Sequence, residues 1–76
     1  MIKDSQRKIL IKFGLNVEAI RLRKNMSLRE VAKHCDVDYA NVKKIENGQL
    51  NMTLLTVVEL AKGLGVEAKD LMDFEL

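Results

Sequence analysis

Seven of the ten residues from Asp38 to Asn47 carry side-chain groups that form hydrogen bonds, and Lys43 and Lys44 add positive charge. At about 100° per residue on a helix, Val42 and Ile45 define one side, supported by Val37 just before them. Ala40, Lys43, Lys44 and Asn47 fall opposite, Tyr39 and Asn41 flank them, and Glu46 turns inward. The outward set offers a small residue for close approach, two cations and several donors and acceptors. Its chemistry is recognition rather than bond making. It suits the major groove of duplex DNA, where base edges present donors and acceptors between walls of phosphate.

No other residue cluster points to catalysis. His34 and Cys35 are adjacent, and neighbours on a helix do not face each other, so a catalytic dyad or a shared metal site is not expected. Cys35 falls on an apolar stripe and reads as core filler, while His34 reads as solvent-facing. There is no glycine-rich phosphate loop and no paired-carboxylate site. The expectation is a non-enzyme without cofactor, metal or small-molecule effector.

Short helices must position this face. Ile9, Phe13, Val17 and Ile20 mark one side of a first helix over residues 5–24, unbroken at Gly14 although glycine costs roughly 1 kcal/mol there. Ser27-Leu28-Arg29-Glu30 is a capping box, followed by Leu28, Val31, Ala32 and Cys35 at helical spacing. Asp38 caps a third helix that runs through Glu46 or Asn47, and Gly48 stops it. Thr53 caps a fourth, with a stripe of Leu54, Val57, Val58, Ala61 and Leu64. A last helix covers about residues 68–74. Without strand signals, the fold class is an all-α bundle of five helices in one domain, residues 1–76, with a helix-turn-helix at about 27–47.

Composition agrees. The chain has 76 residues, 47% of them hydrophobic and 32% charged, with no proline, which fits a small soluble helical domain and not a disordered chain. A lone cysteine forms no internal disulfide, and no apolar run spans a bilayer, so the cytoplasm is expected and no membrane partner. Residues 1–33 hold nine Lys/Arg against Asp4, Glu18 and Glu30, whereas residues 49–76 hold Lys62 and Lys69 against five acids. Such polarity draws a polyanion to one end and leaves the other free.

The segment MSLREVAKHCDVDYANVKKIENGQLNMTLLTVVELAKGLGV resembles the DNA-binding domain of the phage repressor and Cro family, which includes small controller proteins of restriction–modification systems. The resemblance spans roughly residues 13–74. It rests on Ser27, Val31-Ala32, Val37, Ile45-Glu46-x-Gly48, Asn51-x-Thr53 and Leu60-Ala61-x-x-Leu64-Gly65-Val66. It implies a lambda-repressor-like fold and a transcriptional regulator of double-stranded DNA. Asp38, Tyr39, Ala40 and, a turn later, Lys44 would face bases; Ser27, Asn47 and nearby amides would hold phosphates; Asn41 and Lys43 complete the surface. Arg21 and Glu46 match a structural ion pair of the family. Leu28 stands where relatives often carry a DNA-contacting glutamine, and Asp36 where they carry a left-handed glycine.

Relatives pair two such domains on one DNA face, about 34 Å apart. Leu55 lies off the fourth helix's stripe, and Met72, Phe74 and Leu76 add apolar surface that a monomer covers poorly. These four are the expected homodimer interface on a palindromic operator. The second function class is a protein-interaction module of the same fold, such as an antitoxin component. Steep salt dependence of DNA binding separates the two.

Overall fold

Local capping explains where the helices begin in a computed structural model, which describes residues 2–76. Ser27 Oγ accepts from the Glu30 amide (3.1 Å) and Glu30 Oε1 accepts from the Ser27 amide (2.8 Å), opening α2, Leu28–Lys33. Asp38 Oδ1 accepts from the Asn41 amide at 2.8 Å to open α3, Tyr39–Glu46. Thr53 Oγ1 does the same for Thr56 at the start of α4, Leu54–Leu64. Before them runs α1, Asp4–Arg23, and after them a single turn, α5, Ala68–Leu71. No strand occurs among the described residues.

Every helix contributes to one core. Phe13, Val17 and Ile20 of α1 meet Val31, Val37, Val42, Ile45, Leu60, Ala61, Leu64 and Leu71. Burying a side chain such as Ile45 or Leu60 contributes roughly 1.5–3 kcal/mol, so α3 is held by few residues that are each fully enclosed. Gly14 is buried mid-helix in an unbroken α1. A Cβ there would meet the Ile45 carbonyl oxygen and come within 2.5 Å of the Glu46 carbonyl oxygen. Its missing side chain lets α1 lie directly against the C-terminal end of α3.

Several expectations need correction. Ile9 is 38% exposed; the half-buried residue at that level of α1 is Leu10, because only the C-terminal half of α1 is fully roofed by other helices. Leu54 (76%) and Val58 (40%) face outward. The buried stripe of α4 is instead Leu60, Ala61 and Leu64, with Val57 half-buried beside them, a face rotated from the expected one. With so many aliphatics in LLTVVELAKGL, two overlapping faces satisfy helical spacing, and packing on α2 and α5 selects the second. The final helix ends at Leu71 rather than near 74, after which the chain turns back and sets Phe74 edge-on to Phe13, 6.2 Å between centroids. Asp36 is not left-handed: among described residues other than glycine, only Asn25 has positive φ, at 58°. The Asp36 amide donates to Glu59 Oε1 of α4 at 3.0 Å, so a side chain stabilises this turn in an ordinary conformation.

Candidate nucleic-acid interface

The exposed side of α3 is polar along its whole length. Tyr39, Ala40, Lys43, Lys44 and Asn47 are exposed, Asn41 is half-buried, and Val42, Ile45 and Glu46 are buried. Asp38 is exposed too, but its Oδ1 already caps the helix, which leaves one carboxylate oxygen with free acceptor capacity. Ser27 is similar. Its Oγ accepts from the Glu30 amide and its hydroxyl also faces the Glu30 carboxylate, so a phosphate contact requires that proton to turn outward.

Beneath this face lies a charged clamp. Arg21 Nε donates to Glu46 Oε2 at 2.7 Å and Nη2 donates to Oε1 at 3.0 Å, a bidentate pair with side-chain exposures of 12% and 5%. Hydrogen bonding to the Glu46 carboxylate, against some loss from burial, raises the Arg21 pKa further above its ordinary range. Arg21 Nη1 also donates to the Met26 carbonyl at 2.9 Å, one residue before Ser27. One guanidinium therefore fixes the start of α2 relative to the end of α3. Arginine's planar fork serves this double role and lysine's point charge does not.

Arg29 is a member of this surface that sequence reasoning missed. Its guanidinium carbon sits 4.7 Å from the centroid of the Tyr39 ring, a stacking worth about 0.5–1 kcal/mol at an exposed site. It sets a cation beside the N-terminal end of α3, where the helix itself has none, and restricts the tyrosine. The two residues are ten apart on different helices, so no periodicity pairs them. The only signal was that both lie just past a helix cap.

His34 is exposed and Cys35 half-buried. The Cys35 thiol donates to the Val31 carbonyl at 3.2 Å, and burial pushes its pKa up, away from the reactive thiolate.

The C-terminal surface is different in kind. Leu55 and Leu76 are each 76% exposed and Met72 is 52% exposed, whereas Phe74 is half-buried against Phe13. Leu54 and Val58 extend the same apolar surface along α4. Beside it, Ile9, Phe13, Met52, Val57, Met72 and Phe74 line an apolar groove. No helix among the described residues is long and apolar enough to cross a membrane.

Comparison with known proteins places this geometry in context. A family model described as helix-turn-helix matches residues 17–71. The chain is 42% identical over 67 residues to the control protein C.BamHI of Bacillus amyloliquefaciens, covering 87% of this chain and 83% of that one. The crystal structure of the restriction-modification controller protein C.AhdI from Aeromonas hydrophila superposes with a TM-score of 0.78 at 32% identity, covering 82% of this chain and 94% of that one. The controller protein C.Esp1396I, solved as a tetramer in complex with its natural 35 base-pair operator, gives a TM-score of 0.74 at 25% identity, covering 86% and 96%.

Proposed function

From the premise that this chain belongs to the helix-turn-helix family, we propose that it is a DNA-binding transcriptional regulator of the restriction–modification controller type. It is not an enzyme, and it acts in the cytoplasm. The observation that carries this reading is the split of α3: Val42, Ile45 and Glu46 inward, Ala40, Lys43, Lys44 and Asn47 outward. Ala40 lets the helix approach the groove floor. Lys44, Tyr39 and Asp38 reach base edges, Asp38 through the carboxylate oxygen not used in capping, which accepts from a cytosine amino group. Ser27, Asn41, Lys43 and Asn47 hold the phosphates on either side.

Two copies pair through the C-terminal surface, centred on Leu55, Met72, Phe74 and Leu76, so that two α3 helices address a palindromic operator about one helical turn apart. The acidic balance of residues 49–76 keeps that surface away from DNA. Binding of C.Esp1396I to its operator as a tetramer supports a similar assembly of copies here.

Footprinting on DNA upstream of the chain's own gene, repeated across a salt series, tests the reading. A protected palindrome is expected, with affinity falling steeply as salt rises because phosphate contacts release counterions. Protection that ignores salt, or none on any duplex, would overturn it.

A further inference from the structure

One face of α1 is exposed over most of its length, although its Ile11 rests against Gly48 just past α3 and its Glu18 is half-buried. Along α1, residues 4, 8, 11, 15, 18 and 22 recur at alternating steps of four and three, the spacing of a helix-pairing seam. They read Asp4, Lys8, Ile11, Leu15, Glu18 and Leu22. This seam turns away from buried Phe13, Val17 and Ile20, and its Ile11, Leu15 and Leu22 are 41%, 56% and 58% exposed. Lys8 and Glu18 take part in no ion pair among the described residues. They lie roughly 15 Å apart along the helix, too far to pair with each other.

The four central positions are self-complementary, whereas the outermost, Asp4 opposite Leu22, are not and bound the contact to residues 8–18. A two-fold axis crossing α1 near Phe13 sets position 11 of one copy opposite 15 of the other, and position 8 opposite 18. Ile11 then meets Leu15 twice at the centre, and a Lys8–Glu18 pair closes each side. A parallel arrangement would set Lys8 against Lys8 and Glu18 against Glu18. The charges therefore select the antiparallel one.

We propose that the outward seam of α1 is a second self-association surface, on which two copies of this chain pack their first helices antiparallel. It shares no residue with the C-terminal surface or with the outward face of α3. Four apolar side chains at its centre make it small, at the weak end of protein contacts. It becomes effective when copies are already held near one another, by the other interface or by adjacent sites on one DNA. A chain with two different two-fold contacts assembles beyond a dimer.

Sedimentation equilibrium on wild type, Lys8→Glu, Glu18→Lys and the double exchange tests the pairing. Each single variant is expected to weaken the highest association step about tenfold or more, and the double exchange to return it near wild type, since only an antiparallel partner brings these positions together. Superimposable mass curves for all four proteins, or a double exchange no better than the singles, would overturn the proposal. Because Glu18 also lies near Arg21, a second measurement leaves the charges alone. In a Cys35→Ser background, an Ile11→Cys chain mixed with a Leu15→Cys chain should oxidise to the mixed disulfide faster than either chain oxidises with itself. A mixed product no faster than the two homodimers would equally sink it. None of these variants replaces a residue of α3 or α4, but Ile11 rests against Gly48 just past α3, so operator binding is measured beside the association as a separate readout.

Discussion

The solvent side of α3 carries Ala40, Lys43, Lys44 and Asn47, whereas that of α4 carries Leu54, Leu55 and Val58. Both helices bury one face in the same core under the same geometric rule, so the contrast owes nothing to folding. An exposed leucine forgoes about 1.5–3 kcal/mol that burial would supply. Neighbouring apolar side chains left outside on α4 fit the proposed burial between copies. Exposed lysines forgo nothing in water, and on α3 their proposed partner is an anion. On that reading the two helices serve different partners, and single substitutions should separate the two roles.

The largest expected effect lies under the polar face. Arg21→Ala strands the Glu46 carboxylate, 5% exposed, and leaves the Met26 carbonyl without its donor. Removing one partner of a buried pair costs about 3–5 kcal/mol. For a domain of this size that lowers Tm by roughly 12 °C or more. Arg23 is exposed, and Arg23→Ala should move Tm by no more than a degree or two. Equal melting of the two variants in a thermal scan would show that the clamp does not hold α3 in place.

Gly14→Ala comes next. Helix propensity alone predicts a gain of about 1 kcal/mol. The Ile45 and Glu46 carbonyls block the new methyl group, and a backbone neighbour cannot step aside as a flexible side chain would. The net loss should be about 1–3 kcal/mol, read from a urea melt. A stabilised variant would mean that α1 and α3 do not touch so closely.

This glycine also marks how far the sequence could be read. The caps at Ser27, Asp38 and Thr53 and the division of α3 were legible because each depends on residues within one or two turns. The close crossing at Gly14 depends on carbonyls some thirty residues away, and sequence spacing carries no trace of it. Arg29 beside Tyr39 and Asn16, whose amide donates to the Asp70 and Leu71 carbonyls at 3.0 and 2.9 Å, were hidden for the same reason. The face of α4 failed differently. Its aliphatics satisfied two stripes, and only contact with α2 and α5 chose between them.

The contrast between the faces is tested directly by a matched pair of variants. Leu55→Lys should reduce self-association seen by light scattering while leaving the Tm of the isolated chain almost unchanged, because Leu55 makes little use of the core. Lys44→Ala should keep the assembled mass and lose about 1–3 kcal/mol of operator affinity in a gel shift, with preference relaxed at one base position. An exchange of phenotypes, with Lys44→Ala dissociating the assembly or Leu55→Lys reducing half-site affinity, would break the assignment of partners to faces.

The smallest effect concerns the groups that join the two regions. Glu30 accepts from the Ser27 amide and hydroxyl region at the start of α2, and Glu59 of α4 accepts from the Asp36 amide and then from Lys62. Those hydrogen bonds, backbone first in each case, hold both carboxyls below the ordinary carboxylate range. A carboxyl whose pKa falls on folding binds its proton more readily in the unfolded chain. Its stabilisation is therefore complete above the unfolded pKa, near 4.5, and is lost as pH falls through the folded value. Glu30 is exposed and Glu59 half-buried at the surface, so the loss is small and screened by salt. Tm should hold steady from pH 7 to about 5 and decline below that. Glu59→Gln keeps an acceptor for the Asp36 amide but has no proton to gain, and it should show a shallower acid decline than wild type. An identical decline would mean that Glu59 does not tie α4 to the turn before α3. The apolar and polar faces would then be held in register by the core alone.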